Sequence, residues 1–301
     1  MDYGKIDHFL AAARHGNLRM AAEALQLSQP ALSKSIRAFE RSLGQTLFDR
    51  GRFGVRLTEA GEILARRALL MQAEYRSAVA ELDAMRGGGT GHVRLGCGPT
   101  EANRLLPLAL LGFHTRFPGI GVTVHDGLNE TLMPLVRSGE IDMALSSVPS
   151  RPVDHELAHQ VLFEETGVIV ARVNHPLASA ATIGIEALCA AQWILARHHE
   201  LERRAFDDLF ASRGITPPVA IVETSSTVLM KSMVMQSDRL SFIPRELVHW
   251  ETSAGQLQVL RFPTSETRRA VGITTRRRSA HTPAVRALVV ELEAVARRLF
   301  R

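Results

Sequence analysis

Gln29, Ser33 and Arg37 recur at i, i+4 and i+8, a spacing that puts them on one face of a helix, with Lys34 and Arg41 flanking that face. The chemistry these side chains suit is noncovalent recognition. Glutamine and arginine carry forked hydrogen-bonding groups that match the edges of adenine and guanine, and lysine offers a point charge to phosphates. Any solvated surface helix also carries polar residues, so the face alone leaves both readings open.

Arrangements for covalent chemistry are sparse. GCGPTE at Gly96 lacks the third glycine of a dinucleotide fingerprint, and no G-x-S-x-G elbow occurs. His198 and His199 are adjacent rather than one helical turn apart, a spacing that does not suggest a metal site. Neither an enzyme nor a metal or other cofactor is expected. A two-lobed α/β enzyme or ligand-binding protein with an appended DNA-binding module is the alternative.

A small helical core has to hold the polar face outward. Ile6, Phe9, Leu10 and Ala13 form one apolar stripe, and Gly16 ends that helix. Asn17 can cap a short second helix through Leu25, and Ser28 a third, in whose first turn Pro30 loses no helical hydrogen bond. Leu32, Ile36, Phe39 and Leu43 of the third helix should face inward. Beyond it, Gly51 and Gly54 lie between Phe48 and the alternating Val55-Arg56-Leu57, which predicts a β-wing with Arg50, Arg52 and Arg56 near its tip. A basic wing beside a reading helix is a winged helix-turn-helix over 1–57.

The text AAEALQLSQPALSKSIRAFERSLGQTLFDR, followed by LTEAG, resembles the DNA-binding signature of LysR-type transcriptional regulators over Phe9–Gly61. The resemblance implies base and backbone contacts at Gln29, Pro30, Ser33, Lys34 and Arg37, with Arg50 and Arg52 on the wing. Ser28, Arg41 and Asn17 complete the expected DNA-binding set, Asn17 standing where the family commonly has Ser.

Thr58 can cap a long linker helix over 58–86. Along it Leu64, Ala68, Met71, Tyr75, Ala78, Leu82 and Met85 alternate spacings of four and three, a heptad seam. Packing on the chain's own domains would explain such a seam; the family resemblance implies instead an antiparallel pairing of two chains, with Leu64, Met71, Tyr75, Ala78 and Leu82 as dimerisation residues. Glycines over 87–91 read as a hinge.

From residue 92 onward strands and helices alternate, beginning with HVRLGC, a helix over Glu101–Phe117, GVTVH and IDMALSS, and again with GVIVA, QWILA, VAIVE and LSFIP. The whole chain is therefore expected to be an α+β multidomain protein. The resemblance implies that its last part is a two-lobed, periplasmic-binding-protein-like effector domain, lobe I over 92–162 and 269–301 and lobe II over 163–268. MQSDRLSFIP departs from the family, with Ser237, Asp238 and Arg239 in place of a glycine-rich turn.

Ligands of such sheets bind beyond the strand carboxyl ends. Pro99, Thr100, Asn129, Ser146, Ser147, His198 and Thr224 stand at those junctions, and Ser and Thr there also serve as plain helix caps. Hydroxyls near helix N-termini suit a small anion, and Glu101 and Glu223 oppose one unless they point outward.

With 301 residues, 46% of them hydrophobic, the chain can fill about two cores, and its net charge of +5 favours anionic partners. The opening MDYGKIDHFL has no basic segment followed by an apolar run, and the most apolar stretch, Leu105–Phe113, is too short to span a bilayer. Two separate cysteines, Cys97 and Cys189, fit a reducing compartment. A cytoplasmic regulator is expected, with promoter DNA, a small-molecule effector, its own copies as dimer or tetramer, and RNA polymerase as partners, and no membrane.

Overall fold

The computed structural model describes residues 3–51, 54–85, 90–149, 154–180 and 182–300. Arg52 of the expected wing and residues 87–89 of the expected hinge lie outside the described residues. The chain divides into two compact units.

The first unit opens with helices α1 (Tyr3–His15), α2 (Leu18–Ala24) and α3 (Gln29–Leu43). Asn17 accepts hydrogen bonds from the Arg19 and Met20 amides, and Ser28 accepts one from Ala31, so both expected caps are made. The turn between α2 and α3 closes because Gln26 takes a left-handed φ of 56° and Leu27 donates its amide to the Ala22 carbonyl at 2.9 Å. Phe9 is fully buried against Phe39 and Phe48, with ring centroids 6.1 and 5.4 Å away, and Leu32 and Ile36 complete the core. Leu43 does not join them; it is 43% exposed, because α3 ends there and Gly44 turns the chain away through a φ of 64°.

Strands β1 (Phe48–Gly51) and β2 (Gly54–Leu57) pair antiparallel as the wing. The Val55 amide donates to the Gly16 carbonyl at 2.8 Å, tying the wing to the α1–α2 turn. Gly54 makes this possible: its φ is 127°, and a Cβ there would collide with the Gly16 carbonyl oxygen. Helix α4 (Glu59–Met85) follows, capped by Thr58.

In the second unit, β3 (Gly91–Cys97) leads into α5 (Pro99–Asn103) and α6 (Leu105–Arg116). One continuous helix was expected over these residues, but Arg104 leaves helical geometry at φ −140°. The break frees Asn103 to donate to the Glu246 carbonyl and to accept from the Trp250 indole, while Arg104 pairs with Glu246 at 3.0 Å. Then come β4 (Ile120–Asp126), α7 (Asn129–Ser138), β5 (Met143–Val148) and β6 (Leu157–Glu165).

The second lobe holds β7 (Gly167–Arg172), α8 (Ile185–Ala190), β8 (Trp193–Leu195), α9 (Leu201–Ala211), β9 (Ala220–Glu223), α10 (Thr227–Met235), β10 (Leu240–Pro244), α11 (His249–Ser253) and β11 (Leu257–Val259). The chain then returns through β12 (Arg269–Arg276) and α12 (Pro283–Leu299). The two sheets have the orders β4-β3-β5-β12-β6 and β11-β7-β10-β8-β9. In the first, β3 runs parallel to β4 and β5, while β12 is antiparallel to β5 and β6. Because β6 stays paired with β12 through Glu165, the first crossing between lobes falls at Thr166 rather than before residue 163. Phe113 of α6 and Leu288 and Leu292 of α12 bury against the first sheet, and Trp193, Phe206 and Phe210 fill one face of the second.

Candidate nucleic-acid interface and ligand cleft

On α3, Gln29, Pro30, Lys34, Arg37 and Arg41 are exposed and Ser33 is half-buried. They line an open depression with Glu40, Gln45 and Thr46. The wing is fastened to this helix by Glu40, which sequence reasoning missed. Its carboxylate accepts the amides of Leu47 at 2.9 Å and Phe48 at 3.3 Å and lies 3.5 Å from the Arg50 guanidinium. Arg50 also donates to Ser33 Oγ at 3.3 Å. A wing cation is thus held beside the outer face of α3, with part of its charge offset by Glu40. The signal for Glu40 was available: an acid one residue past inward-facing Phe39 sits beside the free amides that begin a strand.

Along α4 the heptad residues part company. Leu64 and Ala68 pack into the unit's own core, whereas Met71, Tyr75, Ala78 and Leu82 are exposed, Leu82 at 59%. Tyr75 also meets Tyr3 of the same unit, ring centroids 5.0 Å apart.

In the second unit a cavity of about 60 Å³ lies between the two lobes. Pro99, Thr100, Asn129, Ser146, Ser147 and Thr224 line it, and His198 does not. His198 is instead largely exposed and pairs with Glu223 at 2.9 Å, and Glu223 also takes Arg203 at 2.7 Å. Its charge is therefore matched outside the cavity. Asn129 donates to the Ser147 carbonyl at 2.9 Å, and Thr224 Oγ1 accepts the Ser226 amide at 3.0 Å.

Sequence reasoning also missed Arg269, at the start of β12. It donates to Glu165, to Glu202 and to Thr100 Oγ1, at 2.5, 2.5 and 3.1 Å. Burial works against its charge, but Glu165 and Glu202 outweigh burial and hold the guanidinium protonated. Glu101 turns inward and is only 3% exposed. Burial, aided by Glu165 and Glu202 and opposed by Arg269, pushes its carboxyl up to about 8. Glu101 Oε1 and Ser146 Oγ have no hydrogen-bond partner among the described residues. Gly98 admits the glutamate, since a Cβ there would strike its carboxylate.

The pentapeptide His155-Glu156-Leu157-Ala158-His159 has the spacing of a zinc-peptidase helix, yet it lies at the entry to β6. Its histidines do not share a helical face, and His159 Nδ1 is 2.9 Å from Thr274 Oγ1. Among the described residues no group of three or more His, Cys, Asp or Glu could hold a metal ion, and no helix is long and apolar enough to cross a membrane. Cys97 is buried, which with Glu101 and Asp126 nearby raises its thiol and disfavours thiolate.

Residues 4–62 match the family described as "Bacterial regulatory helix-turn-helix protein, lysR family", and residues 86–297 match "LysR substrate binding domain". The chain belongs to the LysR family of transcriptional regulators. This LysR regulator is 34% identical over 292 residues to the SDS degradation transcriptional activation protein of a Pseudomonas species, covering 95% of this chain and 94% of that one. It is 30% identical over 283 residues to the HTH-type transcriptional regulator GalR of Pseudomonas putida, covering 93% and 70%. Its fold is similar to full-length OxyR of Pseudomonas aeruginosa, with TM-score 0.73 and 23% identity over 99% of this chain and 95% of that one. It is also similar to full-length CbnR in complex with target DNA, with TM-score 0.68 and 21% identity over 98% and 100%. The relatives are regulators rather than enzymes.

Proposed function

We propose that this LysR regulator reads a specific promoter sequence through α3 and adjusts its grip in response to a small molecule held between the two lobes. Gln29, Ser33 and Arg37 meet base edges, while Lys34, Arg41, Arg50 and Arg52 meet phosphates. The single observation that carries this reading is the outer face of α3, where Gln29, Lys34, Arg37 and Arg41 stand exposed on a helix whose opposite face is buried at Leu32, Ile36 and Phe39.

Two chains pair through the exposed C-terminal half of α4, so the DNA site is an interrupted dyad with half-sites about one helical turn, roughly 10–10.5 bp, or multiples apart. The molecule in the cleft changes transcription only by binding two lobe or subunit arrangements with different affinity. Thr100, Asn129, Ser146, Ser147 and Thr224 form its polar surroundings, and His198 is not among them. RNA polymerase is the partner through which a bound regulator acts. Mobility shifts of promoter fragments at two salt concentrations test the reading: retention of one fragment over competitor at the higher salt supports it, and equal loss on all fragments refutes it.

A further inference from the structure

We propose that the cleft selects a small organic cation, an alkylammonium group whose N–H bonds enter the floor of the first lobe and are accepted by Glu101 and Ser146. This rests on reading the cleft as the effector site and goes beyond it by naming the chemical class of the effector.

Three observations carry the inference. The lining is acidic: among the described residues Glu101, Glu130, Glu200 and Glu202 line it with one base, Arg269, and Glu200 is also paired with Arg197 at 3.2 Å. Arg269 is also occupied by the protein itself. Nε and Nη2 donate to Glu165, Nη2 also to Thr100 and Nη1 to Glu202, which uses four of the five guanidinium N–H groups. A ligand carboxylate would have to displace one of these partners.

The helix starts that would attract an anion carry the chain's own carboxylates. Glu101 sits in the first turn of α5, Glu130 in that of α7 and Glu202 in that of α9, with Glu200 at the α9 cap position. Among the described residues that line the cleft, α10 begins without an acid in its first turn.

The unmet hydrogen-bonding capacity of the floor lies at Glu101 and Ser146, and once Glu101 is ionised its carboxylate can only accept. Glu101 and Ser146 are each 3% exposed, both line the cavity, and Glu101 Oε1 and Ser146 Oγ have no partner among the described residues. An ammonium group, with three donors and no acceptor, satisfies both. Met230 and Phe242 give its alkyl part an apolar wall. A volume of about 60 Å³ is room for roughly four waters, or one such head group with a short chain.

Binding a cation beside Glu101 favours its ionised form and so releases a proton. The charged and titratable groups around Glu101 are Arg269 on β12, Glu165 on β6, Glu202 on α9, Cys97 on β3 and the Arg104–Glu246 pair. Arg269 stays charged throughout, and burial keeps Cys97 a thiol. Cation affinity therefore rises as pH passes about 8, where Glu101 ionises. A carboxylate held by protonated Glu101 would show the reverse trend.

The test uses the full chain with n-propylammonium chloride and sodium propionate at matched ionic strength, read by thermal shift and saturation-transfer NMR at pH 6.5 and 8.5. Propylammonium is expected to bind, more tightly at the higher pH, and Glu101→Gln to weaken it by about tenfold or more, the size of a lost charge-assisted hydrogen bond. Glu101→Gln keeps shape and neutrality, so it should fold; Ser146→Ala gives a second, smaller loss. Preference for propionate, binding of neither probe, or propylammonium binding unchanged in Glu101→Gln overturns the proposal. Met230→Trp, which fills the cleft, separates this failure from that of the effector reading in a reporter strain. Output altered by Met230→Trp with propionate preferred removes only the cation. Output unaltered under every growth condition removes the cleft from regulation, and the proposal with it.

Discussion

Arg269 of the first lobe and Glu202 of the second meet at 2.5 Å across the cleft, each side chain 21% exposed. A partly buried ion pair between lobes is costly to break from one side, because the remaining charge stays desolvated. Glu202→Gln should lower stability of the effector domain by about 2 kcal/mol, or roughly 4–8 °C in Tm. Faster amide exchange on both cleft walls should accompany it. Unchanged melting and exchange would show that Arg269–Glu165 alone holds the guanidinium.

Glu101 makes stability depend on pH with a definite sign. Its folded carboxyl titrates at about 8 against an ordinary value of 4.5. The folded state therefore binds the proton more tightly, and this contribution, complete below pH 4.5, is lost as pH rises through about 8. The half-buried His159 and His281 are shifted down from 6.5 and act in the opposite sense below that pH, so the informative scan runs from pH 7 to 9. The domain's stability should fall across it with a slope of up to about 1.4 kcal/mol per pH unit. Glu101→Gln should flatten that slope; an identical slope in the variant would contradict the assignment.

Gly54→Ala tests how the wing is held. The substitution forces a left-handed φ on alanine and drives its methyl group into the Gly16 carbonyl, at a cost of about 1–3 kcal/mol. DNA affinity should drop while melting of the second unit stays as in the wild type. Wild-type affinity would mean that the wing tip is dispensable for binding.

The exposed stripe of α4 predicts an assembly. Leu82→Asp puts a charge on the seam beyond the part absorbed by the protomer's own core, and sedimentation across micromolar dilution should register a smaller particle. An unchanged mass would exclude the seam as the principal contact.

The helix-turn-helix was readable because each local signal agreed with the others. Asn17, Ser28 and Gly44 are caps recognisable by residue type, and Phe9, Leu32, Ile36 and Phe39 repeat with the helical period. Leu43 failed the pattern because periodicity does not know where a helix ends. The cleft was half legible: strand-to-helix junctions located Thr100, Asn129, Ser146 and Thr224, since those positions follow from chain order. Arg269 and Glu202 were not legible, being 67 residues apart and brought together only by the return of β12 to the first sheet. His198 stood at a junction in the text but turns to Glu223. His155 and His159 have a peptidase spacing whose meaning disappears once the segment is a turn running into a strand.

The most direct measurement is selection of binding sites from a randomised duplex pool by wild-type protein and by Arg37→Ala. The wild type should enrich an interrupted dyad, and Arg37→Ala should lose about 1–3 kcal/mol and relax preference at one position of each half-site, leaving the rest intact. Enrichment of no common sequence by the wild type, or a uniform loss in Arg37→Ala with every base preference preserved, would contradict reading by the outer face of α3.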